Sequence, residues 1–192
     1  MILNNKLYNY INKFINNKEN YYLRKIRKNK YSNIKIMSNK IQGRFLSILS
    51  KIKNPKYILE IGTYLGYSTL CLAEGLKKKG LLISIEKKKK YIKLAKKIIK
   101  LTKYKKKIKI IKGMALKVLP LLKKKFDLVY IDADKINYIK YFKLVLNKVK
   151  KKGLIIVDNV LWKGLVLKKK KDKYTQILHN FNKKIKKYNI NN

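Results

Sequence analysis

Five of the nine carboxylates in this chain stand at the ends of short apolar runs, a placement suited to holding a charged ligand. They are Glu60, Glu86, Asp132, Asp134 and Asp158. Apolar runs of this length predict buried strands, and the ligands of a parallel α/β sheet bind in the crevice outside the carboxyl ends of its strands. The sequence therefore predicts that the chemistry of this protein lies along one edge of a parallel sheet.

Oxygen-bearing side chains follow two neighbouring strands of that predicted sheet. Asp132 follows the fourth strand, and Asp158 and Asn159 follow the fifth. In a doubly wound sheet of order 3-2-1-4-5 these strands lie side by side, so the three side chains should converge. Hard oxygen donors suit Mg²⁺. The one histidine, His179, lies far along the chain, so we expect neither zinc nor histidine chemistry.

A glycine-bearing turn follows the first predicted strand and opens a helix. Gly62 and Gly66 permit a sharp turn and a close approach to a ligand, and Ser68 offers a hydroxyl near the helix start. Neither a dinucleotide fingerprint nor a phosphate loop is present, so a plain strand-to-helix turn stays an alternative. Glu86, at the end of the second strand, is placed to accept both ribose hydroxyls of a nucleoside.

Strand and helix patterns alternate along most of the chain. Strands are predicted near residues 57–61, 81–86, 107–111, 126–131 and 153–158. Helices are predicted near residues 67–78, 88–102, 115–124, 136–149 and 174–187. This alternation predicts an α/β fold with a Rossmann-like, doubly wound, mostly parallel sheet and helices on both faces.

The N-terminal quarter has a helical pattern and no strand. Residues 5–29 predict one amphipathic helix, with Ile15 among its apolar positions, and a second helix is predicted from Gly43 to Pro55. The length of 192 residues fits a single domain. We expect N-terminal helices over 1–52 and an α/β core over 56–192.

The net charge of +43 comes almost entirely from lysine, since only three of the 52 basic residues are arginines. Phosphate-binding surfaces usually include arginine, so compositional bias explains the charge better than a dedicated nucleic-acid surface.

The apolar runs are too short to span a membrane, and the single cysteine fits a reducing compartment. We therefore predict a cytoplasmic protein without a membrane partner.

Several segments together resemble the metal-dependent class I O-methyltransferases, the family of catechol and caffeoyl-coenzyme A O-methyltransferases and their small bacterial members. The resemblance runs from about Ser38 to Val166. Its segments are Gly43-Arg44-Phe45-Leu46, Glu60 to Ser68, Asp132-Ala133-Asp134-Lys135 with Tyr138, and Asp158-Asn159-Val160-Leu161-Trp162.

The resemblance implies two cofactors, S-adenosylmethionine and Mg²⁺ or another divalent cation. It implies these cofactor contacts: Ser38, Glu60, Gly62, Thr63, Ser68, Glu86, Ala115, Asp132 and Asp134. It implies Asp132, Asp158 and Asn159 as metal ligands, and Lys135 as the catalytic general base. Two further strands normally follow the last helix in this family, and we expect that C-terminal hairpin to be missing from this chain.

The implied activity is methyl transfer from S-adenosylmethionine to a metal-chelated hydroxyl. Two acceptors fit that geometry, a small catechol-like phenol and the 5-hydroxyuridine of a tRNA. Two alternatives stay open, a basic RNA-binding protein and a degenerate methyltransferase that binds its cofactor without turnover. The resemblance also leaves a homodimer open as an alternative to a monomer.

Overall fold

The computed structural model describes residues 5–14, 19–32 and 37–188. Its helices are α1 (Asn5–Phe14), α2 (Tyr21–Arg27), α3 (Lys40–Lys53), α4 (Tyr67–Ala73), α5 (Lys89–Ile99), α6 (Ala115–Leu121), α7 (Tyr138–Leu146) and α8 (Lys173–Ile185). Its strands are β1 (Tyr57–Ile61), β2 (Leu81–Glu86), β3 (Ile108–Lys112), β4 (Phe126–Ile131) and β5 (Val149–Val157).

The five strands form one parallel sheet in the order β3-β2-β1-β4-β5, which confirms the predicted fold class. The register aligns the carboxyl ends of the three strands β1, β4 and β5. Ile131 pairs with Ile61 on one side and with Val157 on the other. The residues that follow these strands therefore begin at one level, which brings Asp132 beside Asp158.

Alternating side chains of the central strands supply a separate apolar core on each face of the sheet. Ile58, Leu128 and Tyr130 face a cluster that includes residues of α2, α3, α4 and α5. Leu59 and Val129 face the other cluster, built with α6, α7 and α8. This two-sided burial is typical of parallel sheets and explains why the central strands are apolar at nearly every position.

The predicted N-terminal helix over 5–29 is wrong, because α1 and α2 are separate helices and α2 starts anew at Tyr21. Asn20 has extended backbone angles, and its side chain accepts a hydrogen bond from the Leu23 amide at 3.0 Å. A capping asparagine satisfies an N–H that a helix start leaves unpaired, so it favours a new start at this point. Ile15 lies outside the described residues.

Helix α3 begins before Gly43 rather than after it. Asn39 caps it by accepting from the Gln42 amide at 2.9 Å. Gly43 lies inside this helix, and the position requires glycine because a Cβ there would meet Tyr67 Cε1 at 2.6 Å. The glycine thus permits close packing of α3 on α4, and it is not a helix stop.

Strand β5 forms one edge of the sheet and is longer than predicted. It starts at Val149, which pairs with Phe126, rather than at residue 153. No strand follows β5 as far as Tyr188, and residues 189–192 lie outside the described part of the chain.

Within the described residues, none of the helices is both long and apolar enough to cross a membrane.

Candidate active site

A cleft of about 950 Å³ opens at the carboxyl edge of the sheet. It brings together all but one of the predicted site residues. Those that line it are Ser38, Gly62, Thr63, Ser68, Glu86, Ala115, Asp132, Asp134, Lys135, Asp158 and Asn159. The exception is Glu60, which lies beneath the cleft.

The turn after β1 packs its backbone directly against the turn after β4. Gly62 has a φ of +102°, and a Cβ at this position would lie 2.1 Å from the Asp132 carbonyl oxygen. Only glycine combines this backbone conformation with so close an approach. The glycine therefore sets how near the turn after β1 comes to the Asp132 backbone.

Glu60 is fully buried and acts on the cleft only through other side chains. Its carboxylate accepts hydrogen bonds from Ser68 at 2.6 Å, from Thr69 at 2.5 Å and from Ser84 at 2.6 Å. Ser84 also shares a hydrogen bond with Thr63. The carboxylate of Glu60 therefore orients Ser68 directly and Thr63 through Ser84.

Burial raises the pKa of Glu60 to about 7, although its three hydroxyl donors act in the opposite direction. The folded protein therefore holds this proton more tightly than the unfolded chain does. The stabilisation is fully present below the ordinary carboxyl pKa and is lost as the pH rises through about 7. Between the ordinary carboxyl pKa and a pH above 7, the contribution of Glu60 to the free energy of unfolding falls by about 3 kcal/mol.

We expect Glu60→Gln to remove this pH dependence from the free energy of unfolding. Chemical denaturation of both proteins at pH 5 and pH 8 measures the difference. The stability of the variant relative to wild type should rise by about 3 kcal/mol between the two pH values. Glu74→Gln is a control. The fold lowers the pKa of Glu74, so the contribution of Glu74 to the free energy of unfolding changes with pH in the opposite direction. Parallel curves for wild type and Glu60→Gln would contradict the prediction.

Glu86 is held at the end of β2 by two backbone groups. Its carboxylate accepts from the Tyr64 amide and from the Lys88 amide, each at 2.9 Å. The Tyr64 amide belongs to the glycine turn, so Glu86 ties that turn to β2. Its side chain still lines the cleft, where the sequence predicted a ribose contact.

Asp134 is fixed by two side chains that the sequence analysis missed. Tyr141 donates to it at 2.6 Å, and the Asn137 amide donates to its other carboxylate oxygen. Spacings of three and seven residues place all three on one face of a helical turn, a signal that could have found them. Ala115 lines the cleft from the start of α6.

The two aspartates predicted as metal ligands share one neighbouring hydroxyl. The Tyr130 Oη lies 2.9 Å from Asp158 Oδ2 and 3.5 Å from Asp132 Oδ2. Asn159 follows with a left-handed φ of 59°, and its backbone N–H donates to Asp158 Oδ1 at 2.6 Å. In the described residues no group of three or more His, Cys, Asp or Glu side chains could hold a metal ion. The available donors are therefore two carboxylates and an amide oxygen.

Lys135 forms an ion pair with Asp132, and its side chain is only 12% exposed. Its Nζ donates to Asp132 Oδ1 at 2.8 Å and also to the Tyr138 hydroxyl. Burial raises the pKa of Asp132, and the nearby Lys135 ammonium opposes that increase. The amine is thus held beside the place where a ligand of the two carboxylates would sit.

A sequence model of the O-methyltransferase family matches residues 14–190. The chain belongs to the O-methyltransferase family. It is 39% identical over 130 residues to a catechol O-methyltransferase of Niastella koreensis, and 37% identical over 132 residues to a caffeoyl-CoA O-methyltransferase of Medicago sativa. Each match covers 66% of this chain, and the two matches cover 59% and 53% of those relatives. The chain therefore spans less than two thirds of their length.

Solved structures of this family share the fold. The O-methyltransferase TomG from Streptomyces achromogenes, in complex with SAM, superimposes with a TM-score of 0.87 at 27% identity, covering 96% of this chain and 85% of TomG. An O-methyltransferase from Bacillus cereus, in complex with SAH, gives a TM-score of 0.84 at 28% identity, covering 94% of this chain and 85% of that one. The family predicted from the sequence is confirmed.

Proposed function

We propose that this protein transfers the methyl group of S-adenosylmethionine to a hydroxyl of an acceptor bound at a divalent cation. One observation carries the proposal. Asp132, Asp158 and Lys135 meet at the same cleft that the glycine turn and Glu86 line. The proposed cofactor site and the proposed acid-base site would therefore share one cavity in a chain of the O-methyltransferase family.

The cofactor side of the cleft suits an elongated nucleoside with a charged amino-acid end. Ser68 and Thr63 present hydroxyls at the glycine turn, and Glu86 presents a carboxylate at the next strand. Asp134 and Ala115 also line the cleft and would border the base. Hydroxyls and carboxylates recognise ribose and ammonium groups through hydrogen bonds that strengthen with charge.

The donor set beside Lys135 suits a hard divalent cation such as Mg²⁺. Asp132 and Asp158 would supply carboxylate oxygens and Asn159 an amide oxygen, with acceptor and water oxygens completing the shell. When bound, such a cation lowers the pKa of a chelated hydroxyl and fixes its position. Lys135, in its neutral form, would then remove the hydroxyl proton through Nζ.

The acceptor should carry two neighbouring oxygens. Small phenols of the catechol type fit this requirement, and they agree with the names of the relatives. The mouth of the cleft favours a second candidate, 5-hydroxyuridine in a tRNA, because Lys163, Lys87 and Lys88 line it.

Lys163→Ala should weaken transfer to hypomodified tRNA and leave transfer to a catechol unchanged. Equal effects on both acceptors would count against the tRNA candidate.

The first experiment is calorimetric titration with S-adenosylmethionine at moderate salt, first with Mg²⁺ and then with a chelator. We expect saturable binding to one site, followed by Mg²⁺-dependent methylation when a catechol is added. Saturable binding with no methylated product would favour the degenerate methyltransferase. A folded protein that does not bind the cofactor would overturn the proposal and favour the basic RNA-binding alternative.

Three predictions about the whole protein, on its domain number, location and assembly, complete the proposal. We propose a single domain over 1–192, because α2, α3 and α4 share one apolar cluster with the sheet. We also propose a cytoplasmic location and a homodimer. Fractionation of the native source and light scattering of the purified protein test these two predictions.

A further inference from the structure

We infer that Gln42 and Tyr130 are positioning residues that hold the Asp158 carboxylate in the orientation needed to bind a divalent cation. The inference rests on the proposed metal site. It concerns two residues that carry no role in the sequence analysis. Both donate to the same carboxylate oxygen, and they approach it from different elements of the fold.

Gln42 reaches Asp158 from helix α3. Its Nε2 donates to Asp158 Oδ2, across a sequence separation of 116 residues, and lies 3.5 Å from the Tyr130 Oη. The cap at Asn39 fixes the start of α3 and thereby the direction of this side chain. Gln42 also lines the cleft, so the first turn of α3 forms one wall of the site.

Tyr130 reaches the same oxygen from inside the sheet. It lies on β4 two residues before Asp132, which directly follows the strand, and its hydroxyl reaches the space between Asp132 and Asp158. The residue is 1% exposed, and packing in the apolar cluster under α3 fixes its ring. Its hydroxyl donates to Asp158 Oδ2 at 2.9 Å and lies 3.5 Å from Asp132 Oδ2.

Two donors on one oxygen restrict rotation of the Asp158 carboxylate. The hydroxyl between Asp158 and Asp132 also reduces the repulsion of two like charges that face each other before a cation arrives. Groups that orient metal ligands in this way commonly contribute 10- to 100-fold to metal affinity. Gln42 and Tyr130 should therefore strengthen cation binding without touching the cation.

The test is the Mn²⁺ affinity of Tyr130→Phe and Gln42→Met, measured by electron paramagnetic resonance on the full chain. Both variants keep nearly the same side-chain volume and lose the donor. We expect each to bind Mn²⁺ about 10- to 100-fold more weakly than wild type, with S-adenosylmethionine affinity in calorimetry unchanged. Tyr104→Phe and Gln176→Met make the same changes outside the cleft and should bind Mn²⁺ as wild type does.

Three outcomes would overturn the inference, and they separate it from the proposed function. If wild type binds Mn²⁺ and both variants bind it equally well, Gln42 and Tyr130 do not position Asp158, and the proposed metal site stands. If the variants lose Mn²⁺ and cofactor affinity together with thermal stability, their role is structural. If wild type itself binds no Mn²⁺, the metal part of the proposed function fails and this inference fails with it.

Discussion

Asp158→Ala is expected to reduce Mg²⁺-dependent methyl transfer by about 10³-fold or more while the fold stays intact. The carboxylate is one of only two in the candidate metal site, and Asn159 alone cannot replace its charge. A bound cation contributes several kcal/mol to stabilising the developing charge, and each 1.4 kcal/mol is a factor of ten in rate. Steady-state rates at increasing Mg²⁺ concentration, with circular dichroism of the same samples, measure the effect.

Asp172→Ala is the matched control for this substitution. Asp172 caps α8 by accepting from the Thr175 amide at 2.9 Å, away from the cleft. Its loss should lower stability slightly, as the loss of a helix cap does, and leave methyl transfer unchanged. Unchanged transfer in Asp158→Ala would remove the metal site from the proposed mechanism.

Lys135→Met is expected to lower kcat by about 10²- to 10⁴-fold, the usual contribution of a positioned acid or base. Methionine keeps much of the length and packing but cannot take a proton. The loss should shrink as the pH rises, because the acceptor hydroxyl then ionises without help. Measuring kcat of wild type and variant across the alkaline pH range gives the ratio of the two rates at each pH.

A second lysine on a neighbouring element separates this effect from a general loss of charge. Lys140 is exposed on α7, and Lys140→Met should keep the wild-type rate. Cofactor affinity should be the same in all three proteins. A constant ratio between Lys135→Met and wild type at every pH would assign Lys135 an electrostatic role rather than that of a base.

The sequence determined the layers of the fold and the edge at which the site lies. Apolar runs separated by helical patterns require a parallel sheet buried on both faces, and parallel strands end at one edge. Acids placed after those runs must therefore gather there, as Glu86, Asp132 and Asp158 do. Of the site residues that the resemblance implied, all but Glu60 line the cleft, whereas the lining residues Gln42, Asn137 and Tyr141 were not predicted.

The sequence was less informative where local propensity competes with capping and packing. The N-terminal apolar pattern continues past Asn20, yet the Asn20 side chain starts a new helix there. Gly43 suggested a helix boundary, whereas it lies inside α3, where the close approach of Tyr67 leaves no room for a Cβ. Asparagine caps at positions 20 and 39 thus decide where α2 and α3 begin.

Only the tertiary structure decided which groups hold the functional side chains in place. The Gln42 contact with Asp158 joins residues 116 positions apart, and the Ser84 contact with Glu60 joins neighbouring strands. Such contacts depend on strand register and on the packing distance between helix and sheet. No pattern along one segment contains these quantities, because they arise from lateral packing of elements that are remote in the chain. The sequence thus determined where the carboxylates gather, and the packing decided which of them face the cleft and which donors orient them.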